Sequence, residues 1–119
     1  MLDTNLQHLN TAADLTEALA KNENVMVCCG RMGPMCIPVY GIMEELEGNY
    51  THVAFRDMPF DSPESAIIRN LPECSSFRGL PFTVYYKNGK VVKATSSIQS
   101  KDQVTDILDS VFTKKADVQ

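Results

Sequence analysis

Residues 77 to 94 read Phe-Arg-Gly-Leu-Pro-Phe-Thr-Val-Tyr-Tyr-Lys-Asn-Gly-Lys-Val-Val-Lys-Ala and carry the clearest local signal in the chain. Two runs rich in β-branched and aromatic residues flank the dipeptide Asn88-Gly89. That dipeptide favours a type I′ turn, because both of its residues tolerate a positive φ. The stretch therefore predicts a β-hairpin whose first strand begins at Pro81.

The segments before the hairpin alternate between strand and helix patterns. The run Asn24-Val-Met-Val-Cys-Cys29 is apolar on both faces, as is typical of a central strand covered on both sides. Helical spacing predicts one helix over Ala12 to Lys21, capped by Asn10 or Thr11, and another from Pro34 to about Gly48. Pro34 is expected in the first turn of that second helix, where its missing N–H costs nothing.

Weaker signals complete the order of elements. Short strands are predicted over 6–9 and 52–56, and Ser62-Pro63 opens a short helix that Pro72 ends. Ser100 and Gln103 fit a capping box at the start of a last helix. The order is (β)αβαβαββα, in which helix-linked strands pair in parallel and the hairpin adds antiparallel strands. We therefore predict an α/β fold with a mixed central β-sheet flanked on both faces by helices.

The composition narrows the range of possible functions and binding partners. The 119 residues carry a formal net charge of −4 with scattered basic residues, which disfavours binding to nucleic acid. No stretch approaches the ~20 apolar residues of a membrane span, and the first thirty residues show no signal-peptide pattern. We therefore expect one domain over residues 1–119, a cytoplasmic monomer without a cofactor or a membrane partner.

The cysteines are the main functional clue. Cys28, Cys29 and Cys36 fall within nine residues, whereas Cys74 stands apart. Thiols are mostly kept reduced in the cytoplasm, so these cysteines suggest catalysis, metal binding or packing before a disulfide framework.

The segment Phe77-Arg-Gly-Leu-Pro81 resembles the cis-proline loop of the thioredoxin family, which is also followed by a hairpin. The strand at Val25 and the helix through Leu46 match the family as well, and the resemblance covers roughly residues 6 to 112. It implies the thioredoxin fold and a cis peptide bond between Leu80 and Pro81, which is uncommon even before proline.

The active-site loop departs from that family. The family's Trp-Cys-Gly-Pro-Cys falls on Met32-Gly33-Pro34-Met35-Cys36, so the second cysteine is present as Cys36 and Gly33 replaces the nucleophile. The buried aspartate that tunes proton transfer in many thioredoxins falls on Val27. The resemblance implies thiol–disulfide oxidoreductase activity on cysteine-containing proteins, but these departures require other atoms to perform it.

Two catalytic candidates follow from the sequence. Cys36 is predicted in the first helical turn, where free backbone N–H groups favour a thiolate. Cys29 ends the preceding strand and is the neighbour that could reach Cys36 to resolve a mixed disulfide, a pairing that the spacing permits without ensuring. Cys28 and Cys29 can equally be small apolar residues of a buried strand.

The resemblance also implies a binding surface. In the family an extended peptide pairs with the backbone beside the cis-proline. The expected contact residues here are Gly33, Pro34, Met35, Leu80 and Pro81. The partners would be cysteine-containing protein substrates or a reductase.

Two alternatives stay open at this point. A redox-inactive binding module would keep the peptide groove without turnover. A Cu(I) site is the other, because three thiols and the thioethers of Met32 and Met35 fall within residues 28–36 and soft sulfur ligands select Cu(I).

Overall fold

The computed structural model describes residues 2–112, and the remaining residues of the predicted 1–119 domain, namely 1 and 113–119, lie outside this range. The strands are β1 (Gln7–His8), β2 (Asn24–Gly30), β3 (Ala54–Pro59), β4 (Phe82–Lys87) and β5 (Lys90–Ser96). The α-helices are α1 (Ala12–Lys21), α2 (Ile37–Leu46), α3 (Ala66–Arg69) and α4 (Lys101–Val111), and 3-10 turns occupy Pro63–Ser65 and Pro72–Cys74. Within the described part of the chain, none of the helices has the length and apolar character to cross a membrane.

The five strands form one mixed sheet in the order β1-β3-β2-β4-β5. β3 pairs in parallel with both β1 and β2, whereas β4 pairs antiparallel with β2 and β5. The hairpin turn has a positive φ at both Asn88 (53°) and Gly89 (79°), as a type I′ turn requires. The predicted mixed sheet and its hairpin are therefore confirmed.

Helices cover both faces of the sheet, as predicted. On one face, α2 and α4 pack their apolar residues against the strands, with Val39, Met43 and Leu108 fully buried. On the other face, α1 and α3 contribute Leu15 and Ile68 to a second core cluster. β2 lies between two layers, and each of its residues is buried. This explains why its sequence is apolar without alternation.

The helix termini follow the capping chemistry in the sequence. Thr11 is the N-cap of α1 and forms a capping box with Asp14, whereas Asn10 lies one residue outside it. Ser100 and Gln103 form the predicted capping box of α4. Ser62 accepts a hydrogen bond from the Glu64 amide at the start of the short helical segment.

The start of α2 corrects the prediction. Pro34 lies before the helix, which begins at Ile37 and carries Pro38 in its first turn. The residues from Gly33 to Cys36 form a turn that leads into α2, and the Gly33 carbonyl accepts hydrogen bonds from the Cys36 amide at 3.1 Å and the Ile37 amide at 2.9 Å. Pro38 has no N–H to donate to the Pro34 carbonyl, so the hydrogen-bond ladder is interrupted there. The helix also ends at Leu46, two residues before the predicted Gly48.

Two strands also differ from their predicted limits. β3 runs from Ala54 to Pro59 instead of 52–56, because its pairing with β2 starts at Val25 with Ala54 and continues to Gly30 with Pro59. β1 is limited to the two residues that pair with β3, rather than the predicted 6–9. The shift in β3 places Asp57 inside the sheet.

Candidate thiol site

Cys36 lies at the N-cap of α2 and is 2% exposed. Its side chain does not cap the helix. Instead, the Sγ atom accepts a hydrogen bond of 3.4 Å from the backbone N–H of Arg31. The thiol therefore faces inward, toward the end of β2, and an amide donor is directed at the sulfur.

Gly30 provides the space that the Cys36 sulfur occupies. A Cβ atom on Gly30 would lie 2.7 Å from the Cys36 Sγ, 2.8 Å from the Tyr40 hydroxyl and 3.1 Å from the Cβ of Pro81. These distances are shorter than ordinary van der Waals contacts. Cys36, Tyr40 and Pro81 therefore converge above the last residue of the central strand. The Leu80–Pro81 peptide bond, which the sequence resemblance implies to be cis, is cis in the structure.

Tyr40 supports this arrangement from α2. Its hydroxyl donates a hydrogen bond of 3.1 Å to the Arg31 carbonyl, so the segment that carries the amide donor is held from both sides. Burial raises the pKa of the Tyr40 hydroxyl far above its usual range, and Tyr40 stays neutral. It is four residues after Cys36 and therefore on the same side of the helix.

The site opens to the surface through a pocket of about 330 Å³. Its lining comprises Arg31, Gly33, Pro34, Met35, Cys36, Arg78 and Leu80. Three large apolar side chains within residues 32–37 are exposed to solvent, namely Met32, Met35 and Ile37, and of these Met35 lines the pocket. The structure therefore brings the sequence-predicted contact residues Gly33, Pro34, Met35 and Leu80 to one pocket wall, with Pro81 beneath them near Cys36.

The Arg31 guanidinium group is paired with a carboxylate rather than bonded to a thiol. That group forms a bidentate ion pair with Asp61, with distances of 2.8 and 3.0 Å from its Nε atom and 2.8 Å from its Nη2 atom to the carboxylate oxygens. The hydrogen bonds from Arg31 lower the pKa of the Asp61 carboxyl. The backbone amide of Arg31, rather than its charge, makes the contact with the Cys36 sulfur.

The four free thiols divide between the two faces of the sheet. Cys28 belongs to the same core cluster as Cys36, whereas Cys29 belongs to the opposite cluster with Cys74. Adjacent residues of a strand point to opposite faces, so β2 directs its two cysteines apart. The structure therefore does not bring Cys29 to Cys36, the pairing that the sequence suggested, and it brings Cys28 to that face instead.

Burial dominates the acidity of the other three thiols. It raises the pKa of Cys28 well above its usual range and that of Cys29 to about 12, and it also raises the pKa of Cys74. These thiols are neutral at physiological pH in the resting protein.

The sulfur atoms of residues 28–36 do not gather around one point. Cys29 lies on the opposite face from Cys28 and Cys36, and the Met32 sulfur accepts a hydrogen bond of 3.3 Å from the Asp3 amide. Met35 points into solvent at 43% exposure. Among residues 2–112, no group of three His, Cys, Asp or Glu side chains is placed to hold a metal ion. This geometry gives the Cu(I) alternative no support.

Sequence reasoning missed a buried carboxylate near this site. Asp57 is fully buried and accepts a hydrogen bond from the Thr4 hydroxyl and another of 2.7 Å at the His8 Nδ1 atom. Burial raises the pKa of this carboxyl. Its register opposite Cys28 could have been found from the sequence only with the correct limits of β3.

These features define the class of the chain: it has the thioredoxin fold. A thioredoxin from Plasmodium falciparum is similar at a TM-score of 0.74 with 20% identity, over 89% of this chain and 99% of that one. Mitochondrial thioredoxin 3 from Saccharomyces cerevisiae matches at 0.72 with 18% identity, over 89% and 95% of the two chains. A point mutant of a thioredoxin from Halobacterium salinarum also matches at 0.72 with 18% identity, over 96% and 98%.

The likeness is one of structure. No protein-family model matches the chain, and no curated protein matches it at the level required of a relative. At these identities the solved structures establish the fold, and the chemistry must be argued from the residues of this chain.

Proposed function

We propose that this chain is a thioredoxin-like thiol–disulfide oxidoreductase that acts on cysteine-containing proteins through the thiol of Cys36. The observation that carries the proposal is the position of Cys36, at the start of α2, beside Gly30 and Pro81 and on the wall of a surface pocket. It is the one thiol among the four that lines this pocket.

The surroundings of Cys36 suit a nucleophilic sulfur. Thiol–disulfide exchange requires the thiolate, and an N–H directed at the sulfur is a donor that a thiolate can use. The Arg31 amide supplies this donor at 3.4 Å. No charged side chain is needed for this contact.

The substrate would bind along the pocket wall. An extended segment on one side of Cys36 would contact Gly33, Pro34 and Met35, and on the other side Leu80 and the Pro81 backbone. The exposed apolar side chains of Met32 and Ile37 extend this surface, and grouped apolar exposure is typical of protein-binding sites. The partner would be a protein with a reactive disulfide, or a reductase that restores the thiol.

A binding module without turnover is the second candidate, and the burial of Cys36 favours it. A sulfur in a residue that is 2% exposed must move outward before it can attack a protein disulfide. Gly33 also provides no thiol where the thioredoxin resemblance places the nucleophile. The same surface would then hold a peptide without exchange.

Reduction of insulin and of a small disulfide by wild type, Cys36→Ser and Cys74→Ser separates the candidates. The proposal expects Cys36→Ser to lose activity and Cys74→Ser to keep it. Full activity in Cys36→Ser would show that the wrong sulfur has been chosen. If wild type and Cys36→Ser are equally inactive, yet both bind a cysteine-free extended peptide, the binding module replaces the enzyme.

A further inference from the structure

The position of Cys28 identifies a partner for Cys36 that the sequence alone did not single out. We propose that Cys28 is the resolving thiol for Cys36, so that the two form an internal disulfide that links the central strand to the start of α2. This inference rests on the proposed function, because it requires that Cys36 reacts with disulfides.

The register of β2 places Cys28 on the correct face. Gly30 lies two residues after Cys28 and therefore points to the same side of the sheet, roughly 7 Å further along the strand. The Cys36 sulfur sits 2.7 Å from where a Gly30 Cβ would be. Cys28 is thus the next residue along that face, and both thiols belong to one core cluster.

Cys29 cannot take this role without breaking the sheet. It is paired with Met58 of β3 on one side and Phe82 of β4 on the other. A turn of its side chain to the opposite face would require a one-residue shift in the register of the central strand. Its neighbour in the second cluster is Cys74, which lies on the far side of the sheet from Cys36.

The turn that carries Cys36 can supply the remaining movement. A disulfide needs its two Cβ atoms within roughly 4.5 Å, so the sulfur must leave its position over Gly30 and approach Cys28. Pro38 cannot donate to the Pro34 carbonyl, so the Gly33–Cys36 turn is joined to α2 by one hydrogen bond fewer than usual. The Ile37 amide still bonds to the Gly33 carbonyl at 2.9 Å and the Tyr40 amide to the Cys36 carbonyl at 3.1 Å, so the movement must break hydrogen bonds of the first helical turn.

An unpartnered hydroxyl lies beside Cys28. Thr83 is the residue opposite Cys28 on β4, and its Oγ1 atom is buried without a hydrogen-bond partner in the described structure. A buried hydroxyl without a partner is costly and calls for an explanation. Because Thr83 is the residue opposite Cys28, a Cys28 sulfur that gains negative charge during exchange would accept a hydrogen bond from this hydroxyl.

The exchange balances in two steps. The Cys36 thiolate attacks a substrate disulfide, which forms a mixed disulfide and releases one substrate thiolate that takes a proton from water. The Cys28 thiol, which is neutral at rest, must give up its proton as its sulfur attacks the Cys36 sulfur; this forms the Cys28–Cys36 bond, breaks the bond to the substrate, and passes the proton to the departing substrate sulfur. The substrate gains two electrons and two protons, and an external dithiol must reduce the protein again.

Adjacent cysteines provide a matched pair of variants. Cys28→Ala and Cys29→Ala each remove one fully buried sulfur from the same strand, so they differ chiefly in the face that they alter. Native wild type and both variants would be incubated with oxidised glutathione, quenched with acid, and mapped by mass spectrometry of proteolytic fragments. We expect wild type and Cys29→Ala to form a Cys28–Cys36 disulfide, and Cys28→Ala to accumulate glutathione on Cys36.

The other outcomes overturn the inference in distinguishable ways. A stable glutathione adduct on Cys36 in wild type would leave the proposed function standing and refute Cys28 as the resolving thiol. An internal Cys29–Cys36 disulfide would refute it as well. If Cys36 of the native wild type does not react at all, the proposed function fails together with the inference. Because mapping of wild type alone distinguishes these results, the inference remains testable even if Cys28→Ala does not fold.

Discussion

Replacement of Gly30 by alanine tests the packing on which the whole site depends. The new methyl group would lie 2.7 Å from the Cys36 Sγ, 2.8 Å from the Tyr40 hydroxyl and 3.1 Å from the Cβ of Pro81. An ordinary contact is about 3.5–4.0 Å, so the sulfur and the hydroxyl must each retreat by most of an ångström. Tyr40 is 2% exposed and is held by its hydrogen bond to the Arg31 carbonyl, so the retreat strains the core.

Overpacking of this kind costs about 1–3 kcal/mol of unfolding free energy. For a chain of this length, each kcal/mol corresponds to a fall in Tm of roughly 3–6 °C. Urea unfolding followed by circular dichroism would measure the free energy, and thermal unfolding would give the Tm.

Gly33→Ala is the matched control for this experiment. A Cβ atom on Gly33 would have nothing within 4 Å, and Gly33 is not among the residues with a positive φ. This change should be neutral or should stabilise the chain by up to about 1 kcal/mol, through the entropy of the unfolded state. Equal stability of Gly30→Ala and Gly33→Ala would refute the convergence of Cys36, Tyr40 and Pro81 above Gly30.

Three further changes address other parts of the molecule. Gly33→Cys should raise insulin reduction above the level of Gly33→Ala, because it adds a thiol in open space three residues before Cys36. If a folded Gly33→Cys variant reduces insulin no faster than Gly33→Ala, the absence of a thiol at position 33 is not what limits the activity. Raising the pH from 8 to 10 should lower the unfolding free energy of wild type by about 1.4 kcal/mol more than that of Cys29→Ala, as measured by urea unfolding. Burial raises the pKa of Cys29 from 9.0 to about 12, so only the unfolded chain releases that proton in this pH range. Equal losses of unfolding free energy in the two proteins would contradict this prediction. Asp57→Asn should lower the free energy of unfolding by about 1–3 kcal/mol and speed proteolysis of the N-terminal segment, because the buried carboxylate forms hydrogen bonds with Thr4 and His8 of that segment. Asp61→Asn, which changes an exposed carboxylate, should have a smaller effect in the same two assays.

The sequence was sufficient for elements whose signals are local. The Asn88-Gly89 turn and the capping box at Ser100 depend on a few neighbouring residues, and both are present in the structure. The central strand could be recognised because burial on both faces leaves an apolar run. The order of these elements then determined the mixed sheet, since parallel strands need helical connections.

The sequence was insufficient where two residues carry the same helix-start signal, and where the pairing register of a strand determines which face of the sheet a side chain occupies. Pro34 and Pro38 are both suited to a first helical turn, and only the hydrogen bonds show that Pro38 occupies it. Which cysteine of β2 shares a face with Cys36 depends on strand alternation, and the short spacing from Cys29 to Cys36 does not reveal that Cys29 points to the other face. The burial of Asp57 was not predicted, because β3 extends beyond the strand limits that its apolar pattern indicated.

Gly33 has no thiol and the Cys36 sulfur faces inward, and these two features have one structural consequence. The outer side of the loop provides no second thiol for Cys36, because position 33 carries no side chain in its open space. The sulfur instead lies over Gly30, where the absence of a side chain exposes the central strand to it. In the proposed exchange the second thiol comes from the sheet, and strand alternation makes Cys28 the cysteine of β2 on that face. The proposed exchange is therefore completed on the core side of Cys36 rather than at the surface.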